Sequence, residues 1–97
     1  MAPRLLAVTG PLKGSAFPLA TGDLRIGRDL SNEIPITDSA VSRYHSVVTP
    51  VEATWVVRDL GSMNGTYVNR ERVEVTKLAG HDEVQIGRFR LVFFVGE

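Results

Sequence analysis

Ser42, Arg43, Tyr44 and His45 stand together just before the valines of "HSVV", so a hydroxyl, a guanidinium, a phenol and an imidazole share the entry to an apolar run. Two chemistries fit those groups: a serine nucleophile with a histidine base, or a set of donors around an anion. A nucleophile needs its base within hydrogen-bond reach and a third group to orient that base. Ser42 and His45 approach a strand, where a separation of three puts side chains on opposite faces. The G-x-S-x-G elbow is absent, and the second histidine, His81, falls in a turn-like stretch. Asp82-Glu83 reads as a solvated turn, not as a catalytic pair of carboxylates. A Ser42–His45 hydrolase is therefore kept only as an alternative, and no enzyme activity is expected.

Two further stretches carry groups suited to an anion. In Ile26-Gly27-Arg28 a strand ends at glycine and then arginine; Gly61-Ser62-Met63-Asn64-Gly65-Thr66 is a polar turn. The latter lacks the G-x-x-x-x-G-K and following helix of a P-loop. By itself Asn64-Gly65 reads as a hairpin turn, and Asn64-Gly65-Thr66 as a glycosylation acceptor. Nucleic acid is not expected in this domain. There are seven aromatics, and Trp55, Phe89, Phe93 and Phe94 read as core, not as stacking platforms interleaved with basic residues.

The elements that must position these groups are short and β-rich. Strands are expected at 4–9, 16–19, 23–27, 34–36, 45–50, 55–59, 66–69, 72–75, 83–87 and 89–94. Gly, Pro, Asn, Asp and Ser separate them with turn chemistry. One stretch is ambiguous: Val68, Arg72, Val75 and Ala79 fall on a helical stripe, while Val73 and Val75 alternate as in a strand. The valines favour a hairpin there. Many short strands at this spacing indicate an all-β sandwich or barrel, and a sandwich gathers its loops at two ends.

Composition bounds the rest. The 97 residues make one domain, 43% apolar and 23% charged, and a chain this long buries roughly two-thirds of its unfolded surface. Eleven basic residues balance eleven acidic ones, so no net field draws the chain to nucleic acid or lipid. With no cysteine, disulfides are excluded, and neither a metal nor a cofactor is expected. MAPRLLAVTG has no apolar run of signal-peptide length and nothing approaches a membrane span, so a cytoplasmic location without membrane contact is expected. The chain opens into a strand and stops just after one at FFVGE. It is therefore expected to be the N-terminal part of a longer protein, with an effector module C-terminal to it.

Taken together, Gly27-Arg28, Ser42-Arg43-x-His45 and Gly61-Ser62-x-Asn64-Gly65-Thr66 resemble, in order and spacing, the motifs of forkhead-associated (FHA) domains. The resemblance runs from about Leu5 to Val95, and "IGRDLSNEIPITDSAVSRYH" and "GHDEVQIGRFRLVFF" are similar in style to bacterial members. It implies an eleven-stranded, FHA/SMAD-like β-sandwich that reads phosphothreonine-containing protein segments with loops at one end, in bacterial Ser/Thr-kinase signalling or regulation. Carried over by position, Arg28 would grip the phosphate and Ser42 would donate its hydroxyl to it. Arg43 would contact phosphate or peptide main chain, and Asn64 would hold the peptide backbone. Gly27, His45 and Gly65 would shape the site, His45 by tying neighbouring loops through its ring nitrogens. Met63 departs from the pattern, standing where many members carry Thr or Ser. A thioether cannot donate a hydrogen bond, so only its backbone N–H would serve the peptide. A phosphate-independent interaction or self-association domain, using the sheet faces, is the other reading.

Overall fold

The computed structural model describes residues 2–20 and 22–96. Among them run eleven strands and no helix: β1 (Arg4–Ala7), β2 (Ala16–Pro18), β3 (Leu24–Gly27), β4 (Ile34–Pro35), β5 (Ser46–Val51), β6 (Thr54–Asp59), β7 (Thr66–Val68), β8 (Glu71–Val73), β9 (Val75–Lys77), β10 (Glu83–Ile86) and β11 (Phe89–Phe94). They form a six-stranded sheet in the order β2-β1-β11-β10-β7-β8 and a five-stranded sheet in the order β4-β3-β5-β6-β9. Every pairing is antiparallel except β3 with β4.

Alternation decides which side chains meet between the sheets, because successive residues of a strand point to opposite faces. In β11, Phe89, Leu91 and Phe93 are buried, and in β10 Val84 and Ile86 are. Ile26, Val48 and Val57 answer them from β3, β5 and β6 in one continuous core. Trp55 packs against that core while partly buried. Phe94 does not join it: the alternation turns its ring outward, beneath the Arg4 guanidinium at 4.6 Å and edge-on to His81 at 5.3 Å.

The run at 72–75 is not one strand. Val73 pairs with Thr66 in the six-stranded sheet, whereas Val75 pairs with Arg58 in the five-stranded sheet. The chain changes sheets at Glu74, whose carbonyl accepts a hydrogen bond from the Asp59 amide at 2.8 Å. The hairpin before the change closes on Asn69-Arg70, with φ of 50° and 71°, the paired left-handed residues of a type I′ turn.

Candidate functional site

Three connections meet at one end of the sandwich: 28–33 after β3, 36–45 before β5, and 60–65 between β6 and β7. Gly27 allows the first two to touch. A Cβ there would lie 2.2 Å from the Arg43 carbonyl oxygen and 2.9 Å from Asn32 Nδ2, so only glycine lets the backbone approach so closely. The two loops are zipped by Arg28 N–H donating to Ser42 O at 2.9 Å and Asp29 N–H to Arg43 O at 3.1 Å. Buried Asn32 clamps them again, its Nδ2 donating to Asp29 O and Arg43 O at 2.7 and 2.9 Å.

His45, fully buried, joins the second loop to the third. The Ser42 N–H donates to Nδ1 at 3.1 Å. Since an amide can only donate, the ring is neutral with its proton on Nε2, which donates to Gly65 O at 2.8 Å. Both nitrogens are thus committed to backbone. Contrary to the expectation of opposite faces, Ser42 and His45 lie in a turn ahead of β5, and the ring meets the amide of Ser42. The Ser42 hydroxyl is elsewhere, accepting from Met63 N–H at 3.0 Å. No Ser42–His45 hydroxyl–imidazole pair is formed.

Asp59 organises the third loop, and the sequence reading did not single it out. Its carboxylate accepts from the amides of Gly61 and Ser62, each at 3.0 Å, and from the hydroxyls of Ser62 and Thr66. The Thr66 proton is spent on Asp59, so Ser46 donates its own hydroxyl to Thr66. Ser62 Oγ in turn accepts from Gly65 N–H at 2.9 Å. Burial pushes the Asp59 carboxyl up, but the Ser62 and Thr66 hydroxyls and the two amides outweigh it and hold it below its ordinary value. An aspartate followed two and three residues on by Gly-Ser is the local signal that could have revealed it, an Asx-turn capping its own backbone.

What remains faces solvent. Arg28 is exposed, with Nε donating to Val41 O at 3.0 Å and its terminal nitrogens unengaged by the described residues. The Ser42 hydroxyl proton has no acceptor among them either. Arg43 shares its guanidinium with Asp29 at 3.3 Å, and Asp29 is pulled down to about 2 by the Ser31 hydroxyl and amide and then by Arg43. Asn64 is fixed by donation from Nδ2 to Ala40 O at 2.8 Å, leaving Oδ1 open. Met63 is 85% exposed, but its amide is already held by Ser42 and not offered outward. The structure therefore brings Gly27, Arg28, Ser42, Arg43, His45, Met63, Asn64 and Gly65 to one end. The open groups are a guanidinium fork, a hydroxyl proton and a second guanidinium, donors for a multivalent anion, with the Asn64 Oδ1 beside them as an acceptor.

Comparison with known proteins bears on the family. The family model for the FHA domain matches residues 24–87. The chain is 46% identical over 92 residues to the glycogen accumulation regulator GarA of Mycobacterium tuberculosis, covering 95% of this chain and 57% of that protein. It is 42% identical over 92 residues to the oxoglutarate dehydrogenase inhibitor of Corynebacterium diphtheriae, with 95% and 64% covered. The chain thus spans less than two thirds of the length of these relatives. A solved structure concerned with phosphothreonine-dependent FHA domain interactions superposes with a TM-score of 0.90 at 27% identity, covering 100% of this chain and 99% of that one. Mycobacterium tuberculosis EmbR in complex with a low-affinity phosphopeptide gives 0.89 at 29% identity, covering 97% of this chain and 24% of that one. With its motifs gathered on an eleven-stranded sandwich and the family match spanning most of its length, the chain belongs to the FHA domain family.

Proposed function

We propose that this domain binds phosphothreonine within protein segments and performs no reaction on them. The observation that carries the reading is the pair formed by Arg28 and Ser42. An open guanidinium fork and a hydroxyl whose proton is free stand on two backbone-zipped loops, each side chain fixed by a hydrogen bond to backbone, from Arg28 Nε to Val41 O and from Met63 N–H to Ser42 Oγ. A phosphothreonine brings a charge of about −1.5 to −2 and three strong acceptor oxygens. Arg28 and the Ser42 hydroxyl supply charge-assisted donors to it, with Arg43 as a second cation attenuated by Asp29. Asn64, held against Ala40, presents its open Oδ1 to a peptide N–H, and Met63 borders the peptide with its side chain. Gly27, His45 and Gly65 support the geometry without touching ligand.

The non-catalytic reading is supported by the commitment of both His45 nitrogens to backbone, which leaves no base on Ser42. The similarity to two bacterial regulators supports a role in kinase-linked regulation. That reading assigns the domain to the cytoplasm, where ATP-dependent kinases write such marks.

The test is an oriented phosphothreonine peptide library, with phosphoserine and unphosphorylated controls, against wild type and Arg28→Ala. Selective phosphothreonine binding is expected, and Arg28→Ala should cost about 2–5 kcal/mol by stripping a partner from a desolvated phosphate. Equal binding of phosphorylated and plain peptides, or a loss under about tenfold in the variant, would overturn the assignment.

A further inference from the structure

Arg72 lies outside all three motifs, yet it reaches the site. A Cβ on Gly65 would lie 2.7 Å from Arg72 Nε and 3.0 Å from its Cζ. The guanidinium therefore rests on the backbone of Gly65, one residue from Asn64. The β7–β8 register makes this possible: Tyr67 opposes Arg72, so the side chain needs to lean back only toward the start of β7. The surface it rests on is rigid. Gly65 is buried at φ 88°, its carbonyl is held by His45 and its amide by Ser62.

Its charge is also uncompensated. Arg25, Arg43, Arg88 and Arg90 are each matched with a carboxylate, from Glu33, Asp29, Asp38 and Glu83 respectively, while Arg4, Arg28, Arg58, Arg70 and Arg72 have no ion pair among the described residues; of these five, Arg72 is the one seated against Gly65. Arg72 has neither an ion pair nor a side-chain hydrogen bond among the described residues, and its cross-strand neighbour Tyr67 offers no charge. An exposed, unpaired guanidinium whose Nε and Cδ sit against a fixed backbone keeps its terminal nitrogens available to an incoming group.

Resting on the phosphothreonine reading, we propose that Arg72 is a specificity-determining residue of this site. It gives the domain a preference for phosphothreonine segments that carry a second anionic side chain beside the phosphothreonine. Arg28 and Arg43 meet the phosphate from the first two loops; Arg72 adds a third cation on the Asn64 side, where the peptide backbone is held. A carboxylate and a second phosphate share the chemistry that a guanidinium recognises, so both are tested.

The experiment measures affinities of wild type, Arg72→Gln and Arg72→Lys for three sets of phosphothreonine peptides. One set has neutral flanks, one has a glutamate moved through the flanking positions, and one has a second phosphorylated residue moved likewise. Arg72→Gln retains most of the stem that covers Gly65 and removes the charge. In wild type, the best-placed glutamate should raise affinity roughly threefold, the scale of an exposed ion pair. A second phosphate should raise it by about tenfold through its larger charge and oxygen count. Both gains should vanish in Arg72→Gln and return in part in Arg72→Lys, while the neutral-flank peptide binds all three proteins within about twofold. If only the second phosphate produces a gain, the anion is a phosphate; if both do, a carboxylate suffices. Equal gains in wild type and Arg72→Gln, or no gain at any position, would remove Arg72 from recognition while leaving phosphothreonine binding intact. Failure of every phosphopeptide on wild type would overturn both readings.

Discussion

At the loop end of the sandwich, Asn32, His45, Ser46, Ser62 and Thr66 are all buried, and they are the buried polar side chains of the described residues. At the opposite end Trp55, Leu78, Phe93 and Val95, with Pro3, Ala53 and Thr54, surround an open hollow of about 250 Å³. Apolar burial is non-directional and roughly proportional to area, so it stabilises a strand end without dictating where a single donor points. Hydrogen bonds do dictate it. Hydrogen bonds between connections place the groups of the loop end, as Gly65 O does His45 and Arg43 O does Asn32. That arrangement leaves Asn32 Oδ1 buried with no protein partner among the described residues. One end of the molecule contributes mainly stability, and the other mainly orientation.

Substitutions at the two ends should separate these contributions. Phe93→Ala removes a buried ring beside the hollow and should cost about 3–5 kcal/mol in denaturant unfolding. Phosphopeptide affinity of the folded fraction should change less than about twofold, since the site lies at the other end. A parallel fall in affinity would break the comparison. Asp59→Ala should behave the other way. It leaves four donors on Gly61, Ser62 and Thr66 without their acceptor, for about 2–3 kcal/mol of stability. It should also lower affinity severalfold by releasing the loop that carries Asn64. Unchanged affinity would mean that the third loop holds its shape without the carboxylate.

Acid gives the same contrast without a truncation. The Asp59 carboxyl is held below its ordinary value of 3.8 in the folded protein. A depressed carboxyl contributes stability that is whole above the unfolded pKa and is lost as pH falls through the folded one. Wild type should therefore lose more stability between about pH 5 and pH 3 than Asp59→Asn does. Equal losses would move the acid sensitivity away from this loop.

The sequence shows the outward-facing groups better than what supports them. Arg28, Ser42, Arg43 and Asn64 stand in short polar motifs whose spacing is visible because the strands between them alternate. Asn32 is clamped to Arg43, 11 residues on, and Ser46 to Thr66, 20 residues on. No local pattern encodes such a partner, and only the Asx turn at 59–62 leaves a trace. The change of sheet at Glu74 is hidden for another reason. Val73 and Val75 keep the parity of one strand, and period-two alternation reports a face without saying of which sheet. The reading of Phe94 as core fails for a similar reason: it is an apolar residue on an outward face, covered by Arg4 and His81, which composition alone does not reveal.

Met63 sharpens the distinction between orientation and stability on the smallest scale. Its side chain is 85% exposed and stabilises little, whereas its amide is fixed on Ser42 Oγ. Met63→Thr leaves that amide in place and adds a hydroxyl at the rim, so thermal stability should stay within about 0.5 kcal/mol of wild type. If the hydroxyl reaches the ligand, phosphothreonine affinity should rise by about 0.5–1.5 kcal/mol, the net worth of one hydrogen bond. Calorimetric titration with one phosphopeptide checks both directions. A gain would mean that the backbone-fixed loop already holds the position at which a donor is useful. No gain would mean that the thioether reduces hydrogen bonding no further than the Met63 amide, already committed to Ser42, allows. A loss would show that Met63 contributes apolar contact to the peptide, and selectivity at that rim would then depend on side-chain area.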